Sequence, residues 1–276
     1  WTRKCDCCGQ CRDQKHSRKR DCGRKSMPNY QRNQHIMQPK ITIITVCYNG
    51  EKTIEKTLNS VINQSYSNVE YIVIDGKSTD QTLDIIRKYS DKIAKIVSEP
   101  DKGIFDAMNK GLQLATGTWV NFMNVGDRFY ADTTIEQLFH DEIAPETGIV
   151  YGDTESQKGL LKMMPFYQRR KKNVPMGICH QSLFVRTEPA KRIGFDEKFK
   201  VTADYNMVFQ LYKQGYGFHY VPVPVAVYDL RGFSARNNVL QFKEIVTIRD
   251  VKKTPGYYVD YALVVVKSII KNILYR

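Results

Sequence analysis

No apolar run in this 276-residue chain approaches the roughly 20 consecutive residues that cross a bilayer as a helix. The tail from Tyr257 to Arg276 comes near in composition, but Asp260, Lys267 and Lys271 break it, and its apolar run from Tyr261 to Val266 is short. The first 40 residues are poorer still in apolar side chains and hold no apolar h-region, so no secretory signal is expected there. Acidic residues are scarce as well: 29 Asp and Glu face 42 Lys and Arg, a formal charge of +13. Residues 1–40 contribute 11 basic and 3 acidic residues, or +8, which leaves +5 for the rest. The excess therefore describes a leader rather than the body of the protein. Basic and aromatic side chains are not interleaved, which argues against a nucleic-acid surface. No repeat of solenoid length occurs, which excludes a repeat architecture.

Cysteine is nearly absent after residue 40: Cys5, Cys7, Cys8, Cys11 and Cys22 are five of the seven. The leader cannot bury a core and is expected to be disordered unless metal or disulfides staple it. Cys8 and Cys11 form one CxxC pair that His16 or Cys22 could complete as a zinc site, but the spacing is irregular. An extension outside the native domain, ending near Met37, is the favoured expectation, and its deletion is expected to leave folding and activity intact.

Regular patterning begins at Ile41. Ile41 to Cys47 is a β-branched run of strand length closed by the turn residues Tyr48-Asn49-Gly50. Ile54, Leu58, Val61 and Ile62 share one helical face. Val69 to Ile74 reads as a second strand, followed by a helix that Ser78 and Gln81 would open as a capping box. Ile93 to Val97, then a helix over Ile104 to Ala115, then Trp119 to Met123 continue the alternation. Such a succession predicts an α/β fold with a mostly parallel, Rossmann-like sheet and right-handed crossovers. Later strands are expected at Ile149 to Asp153, Ser182 to Val185 and Phe218 to Val227, the last interrupted by Pro222 and Pro224. Between them Gln157 to Gly177, with Arg169-Arg170-Lys171-Lys172, shows no clean period and is expected to form mobile loops on the acceptor side.

Three acids follow apolar runs, Asp75 directly and Asp101 and Asp127 within a few residues. Ligands of open α/β sheets bind beyond the carboxyl ends of the strands, so acids placed there converge on one crevice. Such convergence suits a divalent metal with a polyphosphate or sugar ligand. As structural alternatives, Asp75 could be an Asx-turn, Asp101 and Asp106 helix-start charges, Asp127 a Gly-Asp turn and Asp204 a helix cap.

Cys47-Tyr48-Asn49, Val73-Ile74-Asp75-Gly76 with Ser78-Thr79-Asp80, Glu99-Pro100-Asp101-Lys102-Gly103-Ile104 with Asp106-Ala107-Met108-Asn109-Lys110-Gly111, and Asn124 with Gly126-Asp127 together resemble the family 2 glycosyltransferases with the GT-A fold. The likeness covers roughly Ile41 to Val227 and is greatest to bacterial members that build lipopolysaccharide O-antigen or capsule. It implies inverting transfer of a sugar from a nucleotide-sugar donor, UDP-linked by expectation, to a glycan or lipid-linked glycan acceptor. Asp75, Asp101, Asp106 and Asn124 are then expected at the nucleotide or donor sugar, with Thr45, Tyr48 and Glu51 near the base pocket. His180 and Gln181 are expected to bind donor or acceptor. Asp127 is the expected ligand of Mg²⁺ or Mn²⁺, which prefer oxygen donors and bridge diphosphate oxygens. The family pattern here is Asp-x-Asp, whereas this chain carries Asn124 two positions before Gly126, so weaker metal affinity is expected. Asp204 is the expected general base, with Asp153 as the replacement if it fails.

The domain expectation is a leader at 1–40, a GT-A domain at 41–230 and a helical tail at 231–276. Aromatic and basic residues around the apolar face of the tail fit a helix lying in the interface of an anionic leaflet, or equally a helix packed on its own domain or on a second copy. A cytoplasmic protein, peripheral on the inner face of the membrane and able to form homo-oligomers, is the corresponding expectation. The two competing readings are a catalytically silent sugar-nucleotide-binding module and a nucleic-acid-binding protein.

Overall fold

Ile41–Cys47 (β1) is buried at every position, because both faces of the strand are covered. Ile44 and Val46 pack in one core cluster with Met108 and Leu112, while Ile41, Ile43 and Cys47 pack in a second cluster with Leu58 and Val61. That alternation follows from the two-residue period of a strand. A near-continuous apolar run is what a parallel strand between two helical layers requires. The computed structural model describes residues 38–156, 159–165, 177–228 and 237–274, which fall within one compact unit. The leader up to residue 37 and the basic run Arg169 to Lys172 lie outside the described residues.

Ile54–Ile62 (α1) follows β1, then Val69–Asp75 (β2), Thr82–Arg87 (α2), Lys95–Ser98 (β3), Ile104–Leu114 (α3) and Trp119–Phe122 (β4). The order β3-β2-β1-β4 is parallel throughout. Chain progress runs outward from β1 through β2 to β3 and then returns to the other side of β1 for β4. The reversal makes the carboxyl ends of β1 and β4 a topological switch point, where α/β sheets bind ligands. Gly111 lets α3 close on this sheet: a Cβ there would lie 2.5 Å from Ile44 Cγ2.

Beyond β4 come Arg128–Phe129 (β5), Thr134–Leu138 (α4), Thr147–Ser156 (β6), Gly159–Leu161 (β7), Leu183–Arg186 (β8), Thr187–Ile193 (α5), Ala203–Lys213 (α6) and Gly217–Tyr228 (β9). The sheet continues β4-β8-β6-β9-β5, with β7 on β6. Pairings β4–β8, β6–β8, β6–β7 and β5–β9 are antiparallel and β6–β9 is parallel, so six of the nine described strands point one way. The expected break at Pro222 and Pro224 takes a different form. β9 is continuous over 12 residues, and its pairing with β6 shifts register around Asp153. Bulged pairing is how a strand accommodates residues that cannot donate to the ladder. Gly152 permits it, since a Cβ would lie 2.5 Å from the Val223 carbonyl oxygen.

Two further helices, Asn238–Ile248 (α7) and Pro255–Leu274 (α8), follow. Although α7 falls in the segment expected as a tail, its Ile245 joins the core cluster of β1 and α3. α8 packs on α7 through Phe242, whose ring lies 5.7 Å from Tyr257 and 6.0 Å from Tyr261. Among the described residues no helix is long and apolar enough to cross a membrane. At the other end, Gln38 and Pro39 accept hydrogen bonds from Asn68 and Tyr66, so the last leader residues are tied to the sheet.

Candidate active site

The register Cys47↔Asp75 and Asp75↔Ser98 aligns the carboxyl ends of β1, β2 and β3. Asp75 is fully buried there, and its carboxylate accepts the Ser78 backbone N–H at 3.1 Å, the Ser78 hydroxyl, and the Ser98 hydroxyl at 2.6 Å. Asp75 therefore ties down its own loop and commits Ser78, but the bonded N–H is three residues on rather than two and α2 begins only at Thr82, so it does not cap that helix as an Asx-turn. The expected capping box does not form: α2 begins at Thr82, and Ser78 points back to Asp75 rather than to the helix. Burial pushes up the neighbouring Cys47 thiol, and the Asp75 charge adds to the effect, so Cys47 stays a neutral core group.

The loops after β1 and β2 are laced together. Asn49 adopts a left-handed φ of 48°, which Asn tolerates, and its Oδ1 accepts the Thr79 N–H at 2.9 Å. The Gly50 N–H donates to the Thr82 hydroxyl, Glu51 accepts the Gln81 N–H at 3.2 Å, and the Glu51 N–H donates to Asp80. Tyr48 is left 60% exposed, with Cδ2 3.5 Å from where a Gly76 Cβ would sit. The same Cβ would overlap Asp101 Oδ2, so Tyr48, Gly76 and Asp101 form one shelf. Thr45 is not part of it. Its hydroxyl is buried, donating to the Met123 carbonyl at 2.7 Å and bonded to Tyr71 at 2.9 Å, because both faces of β1 are covered.

Asp101 accepts the Gly103 N–H at 3.0 Å, and Asp106 accepts the Lys102 N–H at 3.0 Å. That backbone bond holds the Asp106 carboxyl below the ordinary range, and Lys110 at 3.4 Å reinforces it. Asp106 thus does bind its own helix start, as the structural alternative requires. Beside it opens a cleft of about 540 Å³ lined by Lys102, Ile104, Phe105, Asp106, Glu197 and Lys200 with Gly103.

Across the crevice, Asn124 and Asp127 follow β4. Gln181 Nε2 donates to Asp127 Oδ2 at 2.9 Å. Asn124 is buried, its Nδ2 lies 3.2 Å from His180 Nε2, and its Oδ1 has no hydrogen-bond partner. With Asn124 Nδ2 as donor, His180 Nε2 accepts and the ring proton sits on Nδ1, which faces Asp204 Oδ2 at 3.5 Å. Burial lowers the His180 pKa, but the Asp204 hydrogen bond and charge, with the Asp127 charge, outweigh it and raise the value above the ordinary one. Asp204 occupies the second position of α6 rather than its cap, which is Thr202. Asp153 is buried and committed to the Met163 N–H and the Tyr220 hydroxyl, each at 3.0 Å.

Among the described residues no group of three or more His, Cys, Asp or Glu is placed to hold a metal ion. A magnesium-like ion needs less from the protein, since one or two side-chain oxygens plus substrate phosphates suffice. The Asp127 carboxylate and the unpartnered, buried Asn124 Oδ1 fit that demand. Ser98 and the cleft wall at Ile104 and Phe105 were not singled out by sequence. Ser98 carried no local signal, whereas Ile104 and Phe105 sit inside the recognised motif.

Residues 42–215 match the sequence model described as Glycosyl transferase family 2. Over 215 residues the chain is 29% identical to a PGL/p-HBAD biosynthesis glycosyltransferase of Mycobacterium tuberculosis, covering 75% of this chain and 83% of that protein. It is 28% identical over 216 residues to the amylovoran biosynthesis glycosyltransferase AmsB of Erwinia amylovora, covering 68% and 69%. Among solved structures, S. aureus TarS 1-349 in complex with UDP-GlcNAc is similar with a TM-score of 0.61 at 21% identity, covering 77% of this chain. The chain spans 66% of that TarS fragment, just under two thirds, and the likeness is one of fold.

Proposed function

The chain belongs to glycosyl transferase family 2 and has the GT-A fold, and from that premise we propose that it is an inverting enzyme of bacterial surface-glycan synthesis. Its donor is a nucleotide diphosphate sugar, UDP-linked in this reading, and its acceptor a glycan or lipid-linked glycan. The observation that carries the proposal is the pairing of two carboxylates across one crevice through a single turn, Asp127 through Gln181 and Asp204 through His180. The polysaccharide relative AmsB and the nucleotide-sugar complex of TarS support the substrate classes.

In this reading Tyr48 supplies a face for the base, and Asp101, beside Gly76, accepts hydrogen bonds from ribose or donor sugar. Asp75 holds the loop that carries Gly76 rather than reaching the donor. Asp127 and Asn124 would hold Mg²⁺ or Mn²⁺, which when bound neutralises charge that develops on the departing diphosphate. The acceptor lies in the cleft of Ile104, Phe105 and Lys200, four residues before Asp204. Asp204 takes the proton of the acceptor hydroxyl, the oxygen attacks the anomeric carbon, and the bond to the diphosphate breaks with inversion. His180 Nδ1, 3.5 Å from Asp204 Oδ2, holds that side of the carboxylate, and Oδ1, which also accepts the Tyr205 N–H at 2.7 Å, meets the hydroxyl. The exposed apolar side of α8 gives the protein a peripheral contact with the membrane that bears a lipid-linked acceptor.

The test is a panel of nucleotide-sugar donors, assayed for nucleoside diphosphate release with and without acceptor glycans and with Mn²⁺ or EDTA. Turnover of one donor, enhanced by metal, is expected. Tight binding of UDP with release from no donor would favour the silent binding module instead.

A further inference from the structure

Glu244, on α7, lies outside the residues matched by the family model, and its carboxylate is buried. Oε1 accepts the Lys200 N–H at 2.7 Å, and Oε2 accepts the Val201 and Thr202 N–H groups, each at 3.0 Å, with the Thr202 hydroxyl at 2.8 Å. One carboxylate thus gathers three successive backbone donors and a side chain at the entry to α6. Thr202 caps α6 from that anchored position, and its carbonyl accepts the Asn206 N–H at 2.9 Å. Asp204 is two residues further on. No residue within α5 or α6 provides this anchor: Thr202 turns its own hydroxyl to Glu244 instead of capping the helix with it.

We propose that Glu244 is a positioning residue for Asp204, fixing the first turn of α6 so that the base meets the acceptor hydroxyl. The proposal rests on the assignment of Asp204 as base. A carboxylate suits the task because all four groups facing it are donors, and an amide can offer only one accepting atom to them. Displacement of a reacting group by about 1 Å costs on the order of 10²-fold in rate, so a modest loosening of this turn is measurable without loss of the fold.

The experiment measures transfer kinetics and nucleotide binding for Glu244→Gln, Thr202→Val, Asp204→Asn and the double variant Glu244→Gln/Asp204→Asn. Expected is a fall in kcat of roughly tenfold for Glu244→Gln, smaller for Thr202→Val, with donor KM and UDP affinity within about twofold of wild type. In the Asp204→Asn background, Glu244→Gln should change kcat by less than about twofold, because residues acting through one another are not additive. If Glu244→Gln fails to fold, Thr202→Val carries the test. Unchanged kcat in the folded variants, or losses that multiply in the double variant, would overturn the positioning role while Asp204→Asn still reports on the base. Near-wild-type transfer by Asp204→Asn would overturn both.

Discussion

Gln181 donates from Nε2 to Asp127 Oδ2 at 2.9 Å, while its chain neighbour His180 faces Asp204, so one 3₁₀ turn over His180–Ser182 ties the carboxylate after β4 to the carboxylate on α6. Asn121 secures the turn from below, its Nδ2 donating to the Gln181 and Leu183 carbonyls at 3.0 and 2.8 Å. Neighbours in a short turn present their side chains in different directions, which is why this one can brace both sides of the crevice.

If Asp127 holds a divalent ion, Gln181 fixes the orientation of that carboxylate. Gln181→Leu should therefore lower the apparent Mn²⁺ affinity by about tenfold or more, the usual scale for losing an outer partner of a ligand. Asn124→Asp should raise it, because a carboxylate replaces a neutral oxygen. Both are read by titrating Mn²⁺ in the transfer assay, and an unchanged affinity in both variants would remove the ion from this position.

Gly76 matters for what lies over it. An alanine Cβ would overlap the end of the Asp101 side chain, which can swing away without disturbing the sheet. Gly76→Ala is thus expected to keep the melting temperature within a few degrees while weakening donor binding by about tenfold, comparable to losing a hydrogen bond to a charged group. Isothermal titration with a nucleotide sugar checks it. Undiminished affinity would place Asp101 away from the donor.

Stability at low pH should depend on Glu70. Burial alone would raise its pKa, but the hydrogen bonds from Lys40, Thr116 and Thr42 overcome that and bring it to about 2 from 4.5. A depressed carboxylate stabilises the fold above its unfolded pKa and loses that contribution as pH falls through the folded value. The window is therefore about pH 4.5 down to about 2. Urea unfolding of Glu70→Gln should be weaker than wild type at neutral pH, and the gap should close across that window. A gap that persists at pH 2 would show that packing rather than charge is responsible.

How far the fold could be read from the sequence depended on whether local pattern and tertiary environment agree. β1, α1 and α3 were legible because their strand and helix periods match the two covered faces of the parallel sheet. Thr45, expected near the base pocket, is instead bonded within the core, because β1 is buried on both faces up to its last residue and its sequence gives no cue to where the strand reaches solvent. Ser78 fitted a capping pattern, yet a buried carboxylate three residues earlier competed for the same hydroxyl and won. β8 was legible as a strand, but its antiparallel place between β4 and β6 and the shifted pairing of β6 with β9 depend on contacts between distant segments, which no local pattern records. Glu244 is the extreme case: it acts on Thr202 across 42 positions and looks from sequence like any other helix acid.

The last expectation concerns α8. Tyr257, Tyr261, Val264 and Val265 are half-buried, whereas Tyr258, Val259, Leu263, Val266, Ile269 and Ile270 are exposed. At 100° per residue the exposed set falls on one side of the helix, and Lys252, Lys253 and Lys267 lie near it in sequence. An apolar stripe with basic neighbours suits an interface of anionic lipids. Burying one leucine side chain is worth about 1.5–3 kcal/mol, so Leu263→Glu with Val266→Glu should reduce partitioning onto vesicles of phosphatidylglycerol and phosphatidylethanolamine by roughly tenfold or more. Because both positions face away from α7, the melting temperature should hold, and turnover of a soluble donor and acceptor should be unaffected. Sedimentation velocity run alongside separates the competing occupant. Wild-type dimers that dissociate in the double variant, with no vesicle binding by either protein, would assign this face to a second copy of the chain instead.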